Sequence, residues 1–408
     1  MVYIKRTLEQ SIIRVNEFFP VVLVTGPRQV GKTTVLQNCE KKPRTYVSLD
    51  TLANRSLAQS DPQLFLERFP APVLIDEVQY APQLFPYIKS IVDKEKKAGM
   101  YWLTGSQQFH LMQNVTESLA GRVGVLNLNG FSQDEKRRTP ITAPFLPTKE
   151  YIDSKALVAK QLGINEIYRL IWRGSYPKMF GASDELWTTF YDSYLQTYVE
   201  RDIKSLTSVG NNMAFVMFMR VLAARTGQVI NYSDIARDVG VSSPTIKSWL
   251  SILETSGLVF LLQPYYNNIT NRIIKSPKVY FMDTGLASFL AGWTSAEALA
   301  NGAMNGSIFE TYVVSEIVKS YLYNGVKPNL YYYRDKDGQE IDLLIEENGK
   351  LYPVEIKRKS TPDKGDIKHF DVITNILKKS RGEGAVVCAA NTHLPLSDDV
   401  TVIPVEYL

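Results

Sequence analysis

The sequence predicts an α/β protein built in three parts, and three observations carry the prediction. Short apolar runs alternate with helical patterns over residues 1–135, as in a parallel sheet. One of those runs leads directly into a glycine loop of the phosphate-binding pattern. After a mostly helical stretch, residues 301–408 begin a second alternation, in the order α-β-β-β-α-β.

In the first part, strands are expected at Val21–Thr25, Thr45–Leu49, Pro72–Ile75, Tyr101–Thr104 and Val123–Leu128. The first runs into Gly26, Pro27, Arg28, Gln29, Val30, Gly31, Lys32 and Thr33, the full G-x-x-x-x-G-K-[ST] pattern, and Thr34 opens a helical stretch. Strand, glycine loop and helix together predict a P-loop NTPase sheet. Backbone N–H groups of the loop would wrap the phosphates of ATP, aided by the positive end of the helix. Lys32 would reach the β/γ-phosphates and the Thr33 hydroxyl would ligate Mg²⁺. Arg28 faces either phosphate or solvent.

The third of these runs ends in two carboxylates, Asp76 and Glu77. In a P-loop ATPase such a strand is expected beside the P-loop strand. Asp76 would hold Mg²⁺ through water, and Glu77 would orient and deprotonate the attacking water. The next strand ends in Ser106 and Gln107, polar groups suited to that water or the γ-phosphate. Arg122 follows, a candidate arginine finger in cis or in trans. The plainer alternatives are a solvated strand end for Asp76–Glu77 and a surface ion pair for Arg122.

Residues 136–165 carry Pro140, Pro144, Pro147 and a charge run, and read as a loose linker or lid. Residues 166–300 read as helical. Within them Tyr232–Leu250 has a helix-turn-helix rhythm: a helix ends at Gly240, Ser242 or Ser243 caps the next, and Pro244 sits in its first turn. The apolar run after Gly257 completes a winged-helix pattern. Asp234, Arg237, Asp238, Lys247 and Glu254 leave this motif non-basic, whereas Arg272, Lys275 and Lys278 after it are candidates for DNA contact.

In the last part, a helix is expected over Ile308–Tyr323 and another over Asp366–Lys379. Strands are expected at Leu330–Tyr333, Ile341–Ile345, Leu351–Ile356, Gly384–Ala389 and Val400–Val405. Asn348-Gly349 is a two-residue hairpin signal. It sets 347 opposite 350, 345 opposite 352 and 342 opposite 355. Asp342 then faces Glu355, and Glu340 faces Lys357, on one side of the hairpin. Ile341, Leu343, Ile345, Tyr352, Val354 and Ile356 fall on the other side. Two carboxylates directly opposite repel, and a divalent cation between them removes that cost. The alternative is a solvated face with a plain Glu340–Lys357 ion pair.

The bulk numbers bound the remaining choices. A chain of 408 residues with 45% hydrophobic and 22% charged content is long enough for two or three globular units. A net charge of +4 permits a nucleic-acid partner without requiring one. Cys39 and Cys388 lie far apart, and His110, His369 and His393 stand alone, which argues against a disulfide framework and a zinc site. With no signal-like or membrane-spanning run, a cytosolic protein with no membrane partner is expected.

The order Gly-Pro-Arg-Gln-Val-Gly-Lys-Thr, Leu-Ile-Asp76-Glu77, Leu-Thr-Gly-Ser106 and Leu-Ala-Gly-Arg122 resembles a group of prokaryotic AAA-type P-loop ATPases related to the STAND class. In that group the ATPase is followed by a helical and winged-helix segment and then a restriction-endonuclease-like α/β domain. Trp172–Pro177, Tyr198–Asp202 and Phe281–Leu286 resemble its middle segment, and Phe309-Glu310, Glu340–Asp342 and Val354–Lys357 its last domain. The resemblance implies ATP binding. For the units read above at 1–135, 136–165, 166–300 and 301–408, it implies that the last is of PD-(D/E)xK type. Helical Glu310, Asp342 and Glu355 would hold Mg²⁺ there, and Lys357 would position or activate water for phosphodiester hydrolysis. DNA and a second copy of the chain are the partners it leaves open. An ATP-driven switch that binds a partner without cleavage is the rival reading.

Overall fold

The computed structural model describes residues 3–40, 43–105, 115, 117–139, 143–198, 212–266 and 276–408. Ser106, Gln107, Arg272, Lys275, and Val199–Asp202 of the Tyr198–Asp202 motif lie outside the described residues. Among the described residues no helix is long and apolar enough to cross a membrane.

Five short apolar runs form the first sheet: β1 (Val21–Thr25), β2 (Thr45–Ser48), β3 (Val73–Asp76), β4 (Tyr101–Gly105) and β5 (Val123–Asn127). All pair in parallel, in the order β2-β3-β4-β1-β5. β1, β3 and β4 are buried at every position, as strands covered on both faces must be. The order corrects one expectation: β3 does not lie beside the P-loop strand, because β4 pairs with both and separates them.

The linker is also packed rather than loose. Helix Lys149–Ala156 buries Tyr151 and Ile152, and Phe145 is fully buried before it. Tyr151 donates to the Tyr407 carbonyl at 3.1 Å, and Ser320 accepts from the Phe145 N–H at 2.9 Å. These apolar anchors outweigh the local Pro and charge content, and strap the linker onto the last part of the chain.

The middle part follows its turn chemistry. Helix Tyr232–Val239 ends on left-handed Gly240, and helix Ser243–Thr255 starts from Ser242, which accepts from Thr245 N–H. Strands β6 (Val259–Pro264) and β7 (Lys278–Phe281) then pair antiparallel. The Trp172–Pro177 and Phe281–Leu286 motifs meet at buried Asp283. Its carboxylate accepts from Ser175 N–H at 2.6 Å, Ser175 hydroxyl at 2.7 Å, Tyr191 hydroxyl at 2.8 Å and Leu286 N–H at 2.7 Å. The two motifs are thus joined by one buried carboxylate.

The last part adds helix Asn305–Tyr323 and strands β8 (Leu330–Arg334), β9 (Glu340–Glu347), β10 (Lys350–Lys357), β11 (Ser380–Arg381), β12 (Gly384–Cys388), β13 (Leu394–Ser397) and β14 (Val400–Pro404). β6 pairs in parallel with β8, so β6 and β7 extend this sheet into the order β13-β14-β12-β10-β9-β8-β6-β7. The expected helix over 366–379 shrinks to turn Lys364–Ile367 and helix Val372–Asn375. The helix ends at Asn375, and left-handed Lys378 follows shortly before β11.

The hairpin register is as expected from Lys350↔Glu347 to Val354↔Leu343. Its far end is not. β8 pairs Tyr331 with Leu344 and Tyr333 with Ile341, so Asp342 and Leu343 together face one residue of β8. This bulge turns Ile341 away from Leu343, Ile345, Val354 and Ile356, into the small core with Leu344 and Phe370. It also re-aims Asp342.

Candidate functional sites

Parallel pairing brings the C-terminal ends of β1, β3 and β4 to one edge, and the P-loop residues gather there. A Cβ at Gly26 would collide with the Leu128 carbonyl, so only glycine lets the loop leave β1 this closely. Gly31 is left-handed and starts helix Lys32–Cys39. Buried Lys32 donates to the carbonyls of Gly26 at 3.1 Å and Pro27 at 2.9 Å. Thr33 donates to Asp76 at 2.6 Å, Thr104 donates to the same oxygen, and Tyr46 donates to the other at 3.2 Å. Thr104 and Tyr46 are residues that sequence reasoning missed; a threonine at the end of β4 was the available signal. Glu77 follows with φ 58°, an uncommon backbone state for a side-chain-bearing residue, and its N–H donates to Thr104 at 3.1 Å. Gln79 donates to the Glu77 carboxylate.

Thr33 hydroxyl and Asp76 carboxylate are hard oxygen donors already in contact, so these residues fit Mg²⁺. Arg122 stands elsewhere. It precedes β5, at the edge opposite the P-loop, roughly 16 Å away for a strand of this length. There it makes a two-pronged pair with Asp93, at 2.5 and 3.0 Å. It cannot reach the P-loop of its own chain without leaving that edge.

The second site is a cleft of about 660 Å³ on the last sheet, lined among others by Lys278, Glu310, Glu340, Asp342, Glu355 and Lys357. Asp342 and Glu355 are buried, and Lys357 bridges them, at 3.5 and 2.5 Å. Asp342 also accepts from the Ile356 N–H at 2.9 Å. Glu310 enters from helix Asn305–Tyr323. The expected Glu340–Lys357 pair is replaced, because the bulge and β7 supply closer partners. Glu340 pairs with Lys278 at 2.7 Å and with Arg334 at 3.8 Å.

Lys278 is the residue sequence reasoning placed elsewhere. It is buried, so it is no surface DNA contact. Its ammonium lies 3.2 Å from Glu310, 2.7 Å from Glu340 and 4.0 Å from Asp342. Tyr280, two residues along the same face of β7, donates to Glu310 at 2.6 Å. The signal was a lysine opening an otherwise apolar strand. Burial and Asp342 push the Glu355 carboxyl up to about 8, against the pull of Lys357. Burial pushes Glu310 up to about 7, with Lys278 opposing and Asp342 reinforcing. Burial opposes the charge on Lys278, but Glu310, Asp342 and Glu340 outweigh it and hold its pKa above the ordinary lysine value. Among the described residues, no three His, Cys, Asp or Glu side chains form a metal-holding group. Glu310, Asp342 and Glu355 thus share a cleft but do not stand as a metal cage, and the Lys278 ammonium lies within 4.0 Å of both Glu310 and Asp342.

Three family models match separate stretches of the chain. Residues 19–136 match the AAA domain family, 164–297 match a domain of unknown function (DUF8612) and 305–408 match a second one (DUF4143). Uncharacterized protein Rv2008c of Mycobacterium tuberculosis is 31% identical over 396 residues, which is 95% of this chain and 81% of that protein. The chain belongs to its family. Uncharacterized protein Mb2031c of Mycobacterium bovis matches with the same identity and coverage. Among solved structures, the Walker-type ATPase PABY2304 of Pyrococcus abyssi is 16% identical with a TM-score of 0.43, over 69% of this chain and 94% of that one. The first part of this family member is an AAA-type P-loop domain, and a helical part and a mixed sheet follow it.

Proposed function

We propose that this protein binds and hydrolyses ATP with Mg²⁺ in its first unit. We further propose that it thereby controls a restriction-endonuclease-like site that acts on nucleic acid. The observation that carries the ATPase reading is the contact between Thr33 and Asp76 at the P-loop edge, with Glu77 next in sequence. Thr33 and Asp76 would hold Mg²⁺, which when bound shields charge on the β- and γ-phosphate oxygens. Lys32 would exchange its loop carbonyls for phosphate oxygens. Glu77, held by Thr104 and Gln79, would orient water and take its proton. Arg122 would act only on the site of a second copy of the chain, which makes a homo-oligomer the active form.

The units are 1–135, 136–165, 166–300 and 301–408, with a winged helix in the third whose strands β6 and β7 join the sheet of the fourth, in a cytosolic setting. Close approach supports coupling between them: Gly257, just before β6, comes so near the P-loop that an added Cβ would lie 3.2 Å from Pro27, and β6 pairs with the strand that carries Lys278. In the last unit Asp342, Glu355 and Lys357 form the acidic and basic parts of a phosphodiester site. The second reading, a switch that binds DNA or protein without cutting, is favoured by Lys278, whose ammonium already pairs with Glu310 and Glu340 of the carboxylate cleft.

The test is incubation with plasmid and single-stranded DNA plus Mg²⁺ or Mn²⁺, with and without ATP. Phosphate release that Lys32→Ala abolishes supports the ATPase, and cleavage that Lys357→Ala removes supports the nuclease. ATP turnover without cleavage under any of these conditions selects the switch.

A further inference from the structure

Lys278 comes from β7, in the connector, yet its ammonium ends among carboxylates of the last unit. Burying a lysine this far costs several kcal/mol unless it is fully paired. Here three carboxylates and the Tyr332 ring, 5.6 Å away, surround it. Tyr280 fixes Glu310 from the same strand face, so the carboxylate is aimed at the lysine. The position is thus built for a cation, and a side chain supplies it. Lys357 plays a different part: it reaches Asp342 and Glu355 from the more exposed side of the cleft. Four carboxylates, Glu310, Glu340, Asp342 and Glu355, still outnumber these two lysines.

We propose that Lys278 is an internal counter-ion that closes the acidic site, and that a divalent cation enters only by displacing it. The proposal rests on the reading of this cleft as a metal-dependent phosphodiester site. Two positive groups cannot share the space between Glu310 and Asp342. A metal ion there would repel the ammonium over a few ångströms in a poorly screened cleft. Displacement needs movement of β7, which pairs with β6 on one side and on the other exchanges backbone bonds with 227–230, where Gly227 N–H donates to the Val279 carbonyl at 2.7 Å, so both neighbours in the connector must shift with it. The site would therefore be quiet until the connector shifts, which prevents cleavage by a resting protein.

Mn²⁺ is the probe, used with the full-length chain and calorimetry. Binding that Asp342→Asn removes is assigned to this cleft. Lys278→Met and Lys278→Gln should bind Mn²⁺ about tenfold or more tighter than wild type, since a competing unit charge has gone. Lys278→Arg should bind like wild type. Equal affinity in wild type and the neutral variants overturns the counter-ion role and leaves the metal reading standing. Absence of Asp342-dependent binding in all of them overturns both. A measurement on wild type alone covers variants that fail to fold. Acylation of Lys278 by an amine reagent, read by peptide mass spectrometry, should rise severalfold at saturating Mn²⁺. Unchanged labelling while Mn²⁺ binds rules the displacement out.

Discussion

Replacing Asp76 by Asn separates the fold of the P-loop edge from its chemistry. One carboxylate oxygen accepts from Thr33 at 2.6 Å and from Thr104, and the other accepts from Tyr46 at 3.2 Å. An asparagine oxygen keeps both threonine bonds. Its amide faces the Tyr46 hydroxyl, which can reverse and accept. Bonds to a charged acceptor contribute roughly 1.5–3 kcal/mol and neutral ones roughly 0.5–1.5, so each threonine bond weakens by about 1 kcal/mol. Removing a carboxylate that is only 8% exposed returns part of its desolvation cost. The net loss of stability should be no more than about 2 kcal/mol. Catalysis has no such compensation, because the site loses the negative charge that would hold Mg²⁺. Turnover should fall by about a hundredfold or more. Glu77→Gln should keep ATP binding and lose most hydrolysis, because it removes only the group that takes the proton. Phosphate release and thermal melting, measured on the same preparations, decide the matter. Wild-type turnover in Asp76→Asn would refute the metal role. Loss of folding would show that Asp76 serves structure first.

Arg122→Ala should flatten any rise of ATPase rate per subunit with protein concentration, while the exposed pair with Asp93 leaves stability within about 1 kcal/mol of wild type. A monomer with full turnover at high dilution would exclude the finger. Stability in the presence of a chelator should fall as pH rises from about 4.3, the ordinary glutamate value, to the raised values of about 7 for Glu310 and about 8 for Glu355. In that window the folded protein binds protons that the unfolded chain has released, so raising pH favours unfolding. Denaturant titrations of Glu355→Gln should show a shallower slope, and an unchanged slope would assign the pH dependence elsewhere.

The local rules of the chain decided much of this. Val21–Thr25, the glycine loop and Lys32 could be read because a phosphate loop needs fixed residue types at fixed spacing. Asn348-Gly349 fixed a hairpin register because a two-residue turn leaves no slack, and the structure keeps it as far as Val354↔Leu343. Ser242, Gly240 and Pro244 marked helix ends for similarly local reasons.

What escaped depends on contacts between distant residues. The insertion of β4 between β1 and β3 is a matter of sheet order, which no strand encodes by itself. The packed linker gains its order from Tyr321, Tyr407 and Ser320, all far along the chain. The bulge at Asp342 is set by β8, and it alone moves Ile341 to the other core. Lys278 and Glu310 lie 32 positions apart on different elements, and only the tertiary fold brings them to 3.2 Å. Charge in sequence said that Lys278 was basic. Its burial among carboxylates, which makes it part of the site rather than of the surface, was decided by adding β7 to the sheet and packing helix Asn305–Tyr323 against it.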